Sequence, residues 1–481
     1  MSIYGHIPKE VLASFRKMRG FKLLVKGEPG TGKTLFVLTL CKALRDECTP
    51  FYITTRVTPE ELYTDYPFIR DFLSSKNIFD AVASTAVSPP EDLATVFKFS
   101  DKPTFLQQLY TLAKSAEKPA LIVIDSLEAL KSNLNIKHES LSLEEALFEV
   151  SRDLKGNLVF VSEKVDTTPV DYMVDGIVVL GKSKRERLIR YLQLAKIRGV
   201  EIENPTPIFT LINGEFRTLH FQVRSFYDYV VNLESRAFNY IKSGENFIST
   251  GIKYLDEILD GGYWNGTLNL VEIRKEVGDR YDYLYLPTII NHILNEKSVF
   301  IVPPAGIPAE AFKNMLTKLI PSISMEKFNK LVRIVRFTKK VVYDEGRICD
   351  PCILNLMGEN IVDDYEKIKL TVSEIRNEGK PTLIVLGLDT MQQIYGEEEL
   401  SSIIGTLVID AKQAGDVLMC LVKYGQRRIV DVLNHLADMH FVIDAHEGTV
   451  LTYGVIPYTP NLHPNIHVEE GKYEVKLTPI V

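Results

Sequence analysis

Residues 21–44 read "FKLLVKGEPGTGKTLFVLTLCKAL", and this stretch decides the fold. The apolar run Leu23–Val25 has the composition of a buried strand, and it leads straight into three closely spaced glycines. Gly27, Gly30 and Gly32 allow backbone amides to turn inward, and a helix opens at Thr34, where its N-terminus favours anions. Every fixed position of G-x-x-x-x-G-K-[ST] is filled across Gly27, Glu28, Pro29, Gly30, Thr31, Gly32, Lys33 and Thr34. In such a loop the lysine reaches the β- and γ-phosphates of a nucleotide and the threonine hydroxyl holds Mg²⁺. The expected ligand is therefore ATP with Mg²⁺.

Working outward, "KPALIVIDSLEAL" is a buried-strand run that ends in Asp125 and Ser126. A carboxylate at the C-terminal end of a neighbouring parallel strand is where a Mg²⁺ ion would need its second partner, so Thr34 and Asp125 form the expected metal pair. Between them "TPFYITTRV" supplies another strand, and "TPEEL" opens a helix with Thr58 as cap and Pro59 in the first turn. "GNLVFVSE" and "DGIVVL" are further short strands after turn signals. Strands alternating with helical patterns predict an α/β fold whose sheet is mostly parallel and doubly wound.

The second part of the chain repeats this order without the chemistry. "KPTLIVLGLDTMQQI" echoes the Asp125 segment, "PAGIPAEAF" echoes "TRVTPEEL", "HLADMHFVIDA" echoes "DYMVDGIVVL", and "HVEEGKYEVKL" echoes "LINGEFRTL". Two related domains in tandem follow, 1–240 and 241–481, with the junction near residues 236–247. Where Lys33 and Thr34 would recur stands "EVGDRYD", and where Asp125 would recur stands Gly387, with Asp389 a displaced carboxylate. Arg274, Lys275 and Arg280 read as surface charge around a degenerate site.

Composition narrows the remaining classes. The 481 residues are 45% apolar and 25% charged, as in ordinary globular proteins. The net charge of -7 opposes a general nucleic-acid coat. The best basic cluster is Lys182, Lys184, Arg185, Arg187 and Arg190 in "GKSKRERLIRY", read as a solvated hairpin or subunit contact. No apolar run approaches a membrane span, and the start of the chain has no apolar signal core, so a cytoplasmic protein is expected. The five cysteines make no disulfide framework, and Cys349 and Cys352 form a lone C-x-x-C read as a loop or buried thiol pair.

With these residues in place, the whole chain resembles RecA-superfamily ATPases of the KaiC type. "STGI…LDE…GG" opens its second domain as it does in that family, and "DGIVVL…RLIRYLQLAKIRG" resembles the family's domain ending. The beginning "IPKEVLASFRKMRGFKLLVKG" with "TTRVTPEEL" is closer to the archaeal gas-vesicle regulator GvpD and its P-loop relatives. The resemblance implies that Lys196 and Arg198 of "LAKIRG" reach a neighbouring subunit's nucleotide in a homo-oligomer, such as a hexamer, and act as catalytic groups with Lys33. It also implies an acidic pair before the "TPEEL" helix, to activate the attacking water. Here those positions are Arg56 and Val57, so hydrolysis is expected to be slow. Glu28, Glu60, Glu61 and Glu163 are the substitutes among which no spacing argument selects. The expected function is a nucleotide-dependent regulator whose degenerate domain docks a protein partner. The alternatives are a DNA-binding recombination accessory protein of the RadA-paralogue type and a kinase.

Overall fold

The computed structural model describes residues 6–81, 102–184, 186–219, 224–234, 237–338, 350–376 and 380–481. Its contacts divide the chain into two compact units, 1–220 together with Ile480–Val481, and 221–479.

The first unit is built on seven strands: β1 (Lys22–Gly27), β2 (Thr49–Thr54), β3 (Ile78–Asp80), β4 (Ala120–Asp125), β5 (Asn157–Ser162), β6 (Gly176–Lys184) and β7 (Leu188–Ile197). They lie in the order β3-β2-β4-β5-β1-β6-β7. All neighbours are parallel except β6 and β7, which form an antiparallel hairpin. The two-residue period of β1 sorts its side chains between two cores. Leu23 and Val25 pack on one face with Val11 and Phe15 of helix α1 (Lys9–Lys17) and Phe36, Val37 and Leu40 of helix α2 (Lys33–Leu44), while Leu24 packs on the other with Leu127, Leu143 and Leu147. This near-continuous apolar run is what a strand covered by helices on both faces requires.

The second unit repeats the plan. Seven of its strands lie in the order Val332–Phe337, Val299–Val302, Leu383–Gly387, Val417–Lys423, Leu268–Ile273, Met439–His446 and Thr449–Ile456, position for position the order of the first sheet. The sheet continues through Ile353–Leu356 at one edge, and through an antiparallel meander of Leu462–Glu469 and Lys472–Pro479, then Ala237–Phe238, at the other. The chain is thus α/β, with two large, mostly parallel mixed sheets of the RecA-like kind. Three of the four quoted pairs fall on corresponding elements, while "LINGEFRTL" closes a separate two-stranded hairpin and "HVEEGKYEVKL" a hairpin of the large sheet. "KPALIVID" and "KPTLIVLG" are the strands beside the central pair, and "DGIVVL" and "MHFVIDA" are the strands that turn into the antiparallel hairpin.

Candidate functional site

The loop Gly27–Thr34 leaves the C-terminal end of β1, which is flanked by β5 and β6. Sterics account for two of its glycines. A Cβ on Gly27 would sit 2.6 Å from the Leu180 carbonyl oxygen and 2.7 Å from Thr31 Oγ1. Gly32 caps α2 at φ +98°, a conformation side chains rarely take, with Leu211 already 3.0 Å from where its Cβ would be. Lys33 folds back over the loop, and its Nζ donates to the carbonyls of Gly27 (2.7 Å) and Glu28 (3.0 Å). Burial holds its ammonium below the ordinary lysine range, against the pull of Glu163 and Asp125. An incoming phosphate would replace those carbonyls as acceptors, so the lysine exchanges partners rather than acquiring new ones.

Asp125 ends β4 and faces the loop. Its Oδ2 accepts from Thr34 Oγ1 at 2.8 Å and from the Tyr52 hydroxyl at 2.6 Å. Burial pushes this carboxyl up from the ordinary range, opposed by those two hydroxyls and by the charges of Lys33 and Arg56. The two residues expected to share a metal are therefore in contact. Beside them Ser126 is 2% exposed, and its hydroxyl has no partner among the described residues. A buried hydroxyl left unmatched costs free energy unless a ligand or water meets it. Lys33, Thr34, Asp125, Ser126, Arg56 and Glu163 line one cavity of about 340 Å³. A cradle with a lysine, a hydroxyl–carboxylate pair and an orphan hydroxyl fits a metal-bound polyphosphate. Mg²⁺ held by Thr34 and Asp125 would supply charge neutralisation at the phosphates.

The turn after β2 is fixed from both sides. Thr55 donates its N–H (3.1 Å) and hydroxyl (2.8 Å) to the Asp125 carbonyl, and its Oγ1 accepts from Ser126 N at 2.7 Å. Thr54 Oγ1 closes onto the Val57 carbonyl at 2.7 Å. Helix α3 (Pro59–Asp65) then starts with the expected Thr58 cap. Glu61 completes a capping box by accepting from Thr58 N at 2.8 Å, so its carboxylate is occupied at the helix start. Of the four candidate bases, only Glu163 lines the cavity, and it is paired with Arg56 at 2.7 Å.

Lys196 and Arg198 do not join this site within the chain. Arg198 pairs with Asp175 at 3.1 Å, and the other oxygen of Asp175 accepts the amide of Lys22, which begins β1 at the end opposite the loop. Lys196 sits opposite Ile177 near that same end and donates to the Asp171 carbonyl at 2.9 Å. The basic hairpin behaves differently from its reading as solvated charge. Arg190 Nη1 donates to the Gly30 carbonyl at 3.1 Å, and Lys182 Nζ lies 3.5 Å from the Pro29 carbonyl. Arg185 lies outside the described residues, as does Cys349. Cys352 is buried, its thiol donating to Asn329 Oδ1 at 2.7 Å. Sequence reasoning missed Tyr52, Thr55 and the Arg56–Glu163 pair. The strand order, which sets β2 and β5 on either side of β4, was the available signal.

In the second unit the corresponding loop, residues 274–281, is closed by its own chain. Arg280 donates to the carbonyls of Val277 (3.1 Å), Glu276 (2.9 Å) and Gly448 (2.8 Å). Asp282 is the first residue of the helix Asp282–Leu294, as Lys33 is of α2, and it accepts the amides of Phe226 and Tyr227 at 2.8 and 2.9 Å. Gly387 has no room for the carboxylate it replaces, because a Cβ there would lie 2.7 Å from the Pro303 carbonyl and from Pro304. Asp389 is paired with Lys423 at 2.8 Å and accepts the amide of Ala305.

No helix among the described residues is long and apolar enough to cross a membrane. Residues 12–195 match the family model for the P-loop domain of the GvpD gas vesicle protein. The chain is similar to two Halobacterium salinarum proteins, each aligned over nearly its full length. Protein GvpD2 is 28% identical, covering 99% of this chain and 97% of that protein. Protein GvpD1 is 25% identical, covering 98% and 96%. Residues 12–195 therefore form a P-loop domain similar to that of GvpD, set in a chain similar to both GvpD proteins over nearly its full length.

Proposed function

We propose that the chain is a regulatory nucleotide switch in the gas-vesicle setting that the description of the matching family model names. It binds Mg²⁺-ATP in the first unit and hydrolyses it slowly, and its nucleotide state governs assembly or the docking of a protein partner on the second unit. The observation that carries this reading is the contrast between the two units. One loop keeps Lys33, Thr34, Asp125 and an unmatched Ser126 hydroxyl around a cavity, and the other has spent its polar groups on its own backbone. Slow turnover is supported by Arg56 and Val57 at the two positions where the resemblance implies an acidic pair, since neither side chain accepts a proton from the attacking water. DNA binding is less favoured, because Lys182 and Arg190 of the basic hairpin are turned onto loop carbonyls.

Titrating the full chain with ATP and Mg²⁺ in a calorimeter should give one site per chain. Sedimentation with triphosphate, with diphosphate and without nucleotide should give different assembly states or different partner retention. Two sites per chain, or identical behaviour in all three conditions, would reject the switch. Lys196 and Arg198 lie at the end of β1 away from the loop, so any part they take in turnover requires a second copy. Activity per chain should then rise with concentration and fall when Arg198→Ala protein is mixed with wild type. A rate independent of both would remove the trans role.

A further inference from the structure

The cavity holds a pair of charges that the binding reading does not use. Among the described residues that line it, Lys33 and Arg56 are the two cations, and Asp125 and Glu163 the two carboxylates. Without ligand the four formally cancel, and the charge of Arg56 is spent on Glu163 across 2.7 Å.

Strand order explains where this pair stands. Arg56 follows β2, Glu163 follows β5, and β4 runs between those strands, ending in Asp125. The ion pair therefore arches over the carboxylate that faces Thr34. Thr55 and Thr54 fix the backbone beneath Arg56 through four hydrogen bonds, so the guanidinium starts from a defined root. Its head is open to solvent by comparison, with the Arg56 and Glu163 side chains 56% and 31% exposed. A pair this open to solvent separates at little cost.

We infer that Arg56 is the residue by which the site distinguishes a nucleoside triphosphate from a diphosphate, with Glu163 holding the guanidinium whenever the terminal phosphate is absent. The inference rests on nucleotide binding at the Lys33 loop and adds a discriminating contact to it. A terminal phosphate carries more charge than one carboxylate and offers oxygens that match the planar guanidinium fork. When it arrives beside Lys33, Arg56 exchanges Glu163 for phosphate, and Glu163 is left with a free carboxylate at the cavity wall. A diphosphate has no group that reaches past Lys33 toward β2, so the Arg56–Glu163 pair stays closed. The position where the resemblance implied an acidic group thus serves here to read the phosphate count.

The test compares affinities of the full chain for adenosine diphosphate and for the β,γ-imido triphosphate analogue, both with Mg²⁺. Wild type should prefer the triphosphate by roughly tenfold or more, the worth of one charge-assisted hydrogen-bonding contact. Arg56→Gln should bring the two affinities together by weakening the triphosphate alone, and Arg56→Lys should fall between. Glu163→Gln should strengthen triphosphate binding, a gain that a damaged fold does not produce. An unchanged triphosphate-to-diphosphate ratio in Arg56→Gln, or weaker triphosphate binding in Glu163→Gln, overturns the proposal. Lys33→Ala separates it from the binding reading. If diphosphate binding is lost in that variant while Arg56→Gln leaves the ratio intact, the loop binds nucleotide and Arg56 does not read it. A wild-type chain that binds neither nucleotide overturns both.

Discussion

Two loops leave corresponding strands of two similarly ordered sheets, and in both a cation rests on backbone carbonyls. In the first, Lys33 has two such acceptors and sits in a cavity with an unmatched hydroxyl nearby. In the second, the fork of Arg280 spans three carbonyls, and the neighbouring Asp282 is committed to the start of the helix Phe226–Val230. The degenerate loop has not simply lost polar groups. It has turned them inward, which satisfies a buried backbone without any ligand. A competent phosphate site is thus distinguished by what it leaves unspent as much as by its motif.

The largest effect should come from removing each cation in turn. Lys33→Ala should lower the affinity of the full chain for Mg²⁺-ATP by roughly a hundredfold or more, since it removes a charge-assisted contact at the phosphates. Arg280→Ala should leave affinity and stoichiometry unchanged. A measurable loss in the Arg280 variant would break the comparison.

Asp282 gives the next effect, read in stability. Burial raises its carboxyl to about 7 in the folded unit, against about 3.9 when unfolded. The folded state therefore holds the proton more tightly than the unfolded state does. The stability this confers is full below about pH 4 and is lost as pH rises through about 7. The fall should be on the order of 2–4 kcal/mol across that window. Denaturant unfolding from pH 4 to 8 should show it in wild type and show a flatter profile in Asp282→Asn. Equal pH profiles would mean that the amides of Phe226 and Tyr227 stabilise the ionised form enough to offset burial.

Gly387→Ala should have the smallest effect, about 1–3 kcal/mol of destabilisation from crowding the backbone at Pro303 and Pro304. No loss of stability there would mean that the second unit has room for the missing carboxylate, and that its absence is not enforced by packing.

The sequence carried the fold well, because the central strands of both sheets are short apolar runs with turn signals at their ends. The motif residues were equally legible, and Thr34 and Asp125, ninety-one positions apart, meet as their spacing in such folds requires. What the sequence concealed were meetings between side chains from strands that become neighbours only in the sheet. Tyr52 reads as one more apolar position of β2, yet its hydroxyl reaches Asp125. Arg56 reads as the loss of an acidic residue, whereas the structure gives it Glu163 as a partner 107 positions later. Lys182 and Arg190 read as a solvated cluster because the hairpin's reach over the loop depends on the register of β6 against β1. Local pattern fixes which elements form, while strand order decides which charges meet.

Thr55 carries one further consequence. Its amide and hydroxyl are fastened to the Asp125 carbonyl, and its oxygen takes the Ser126 amide, so the end of β2 and the end of β4 are stitched together. A displacement of the Arg56 turn would pull on the Asp125–Ser126 backbone through this stitch, and on the start of α3 through the Thr58 cap. The nucleotide pocket therefore has a mechanical outlet on its β2 side. Weakening that stitch with Thr55→Val should leave a pocket that still fills but no longer reports its contents to the rest of the chain.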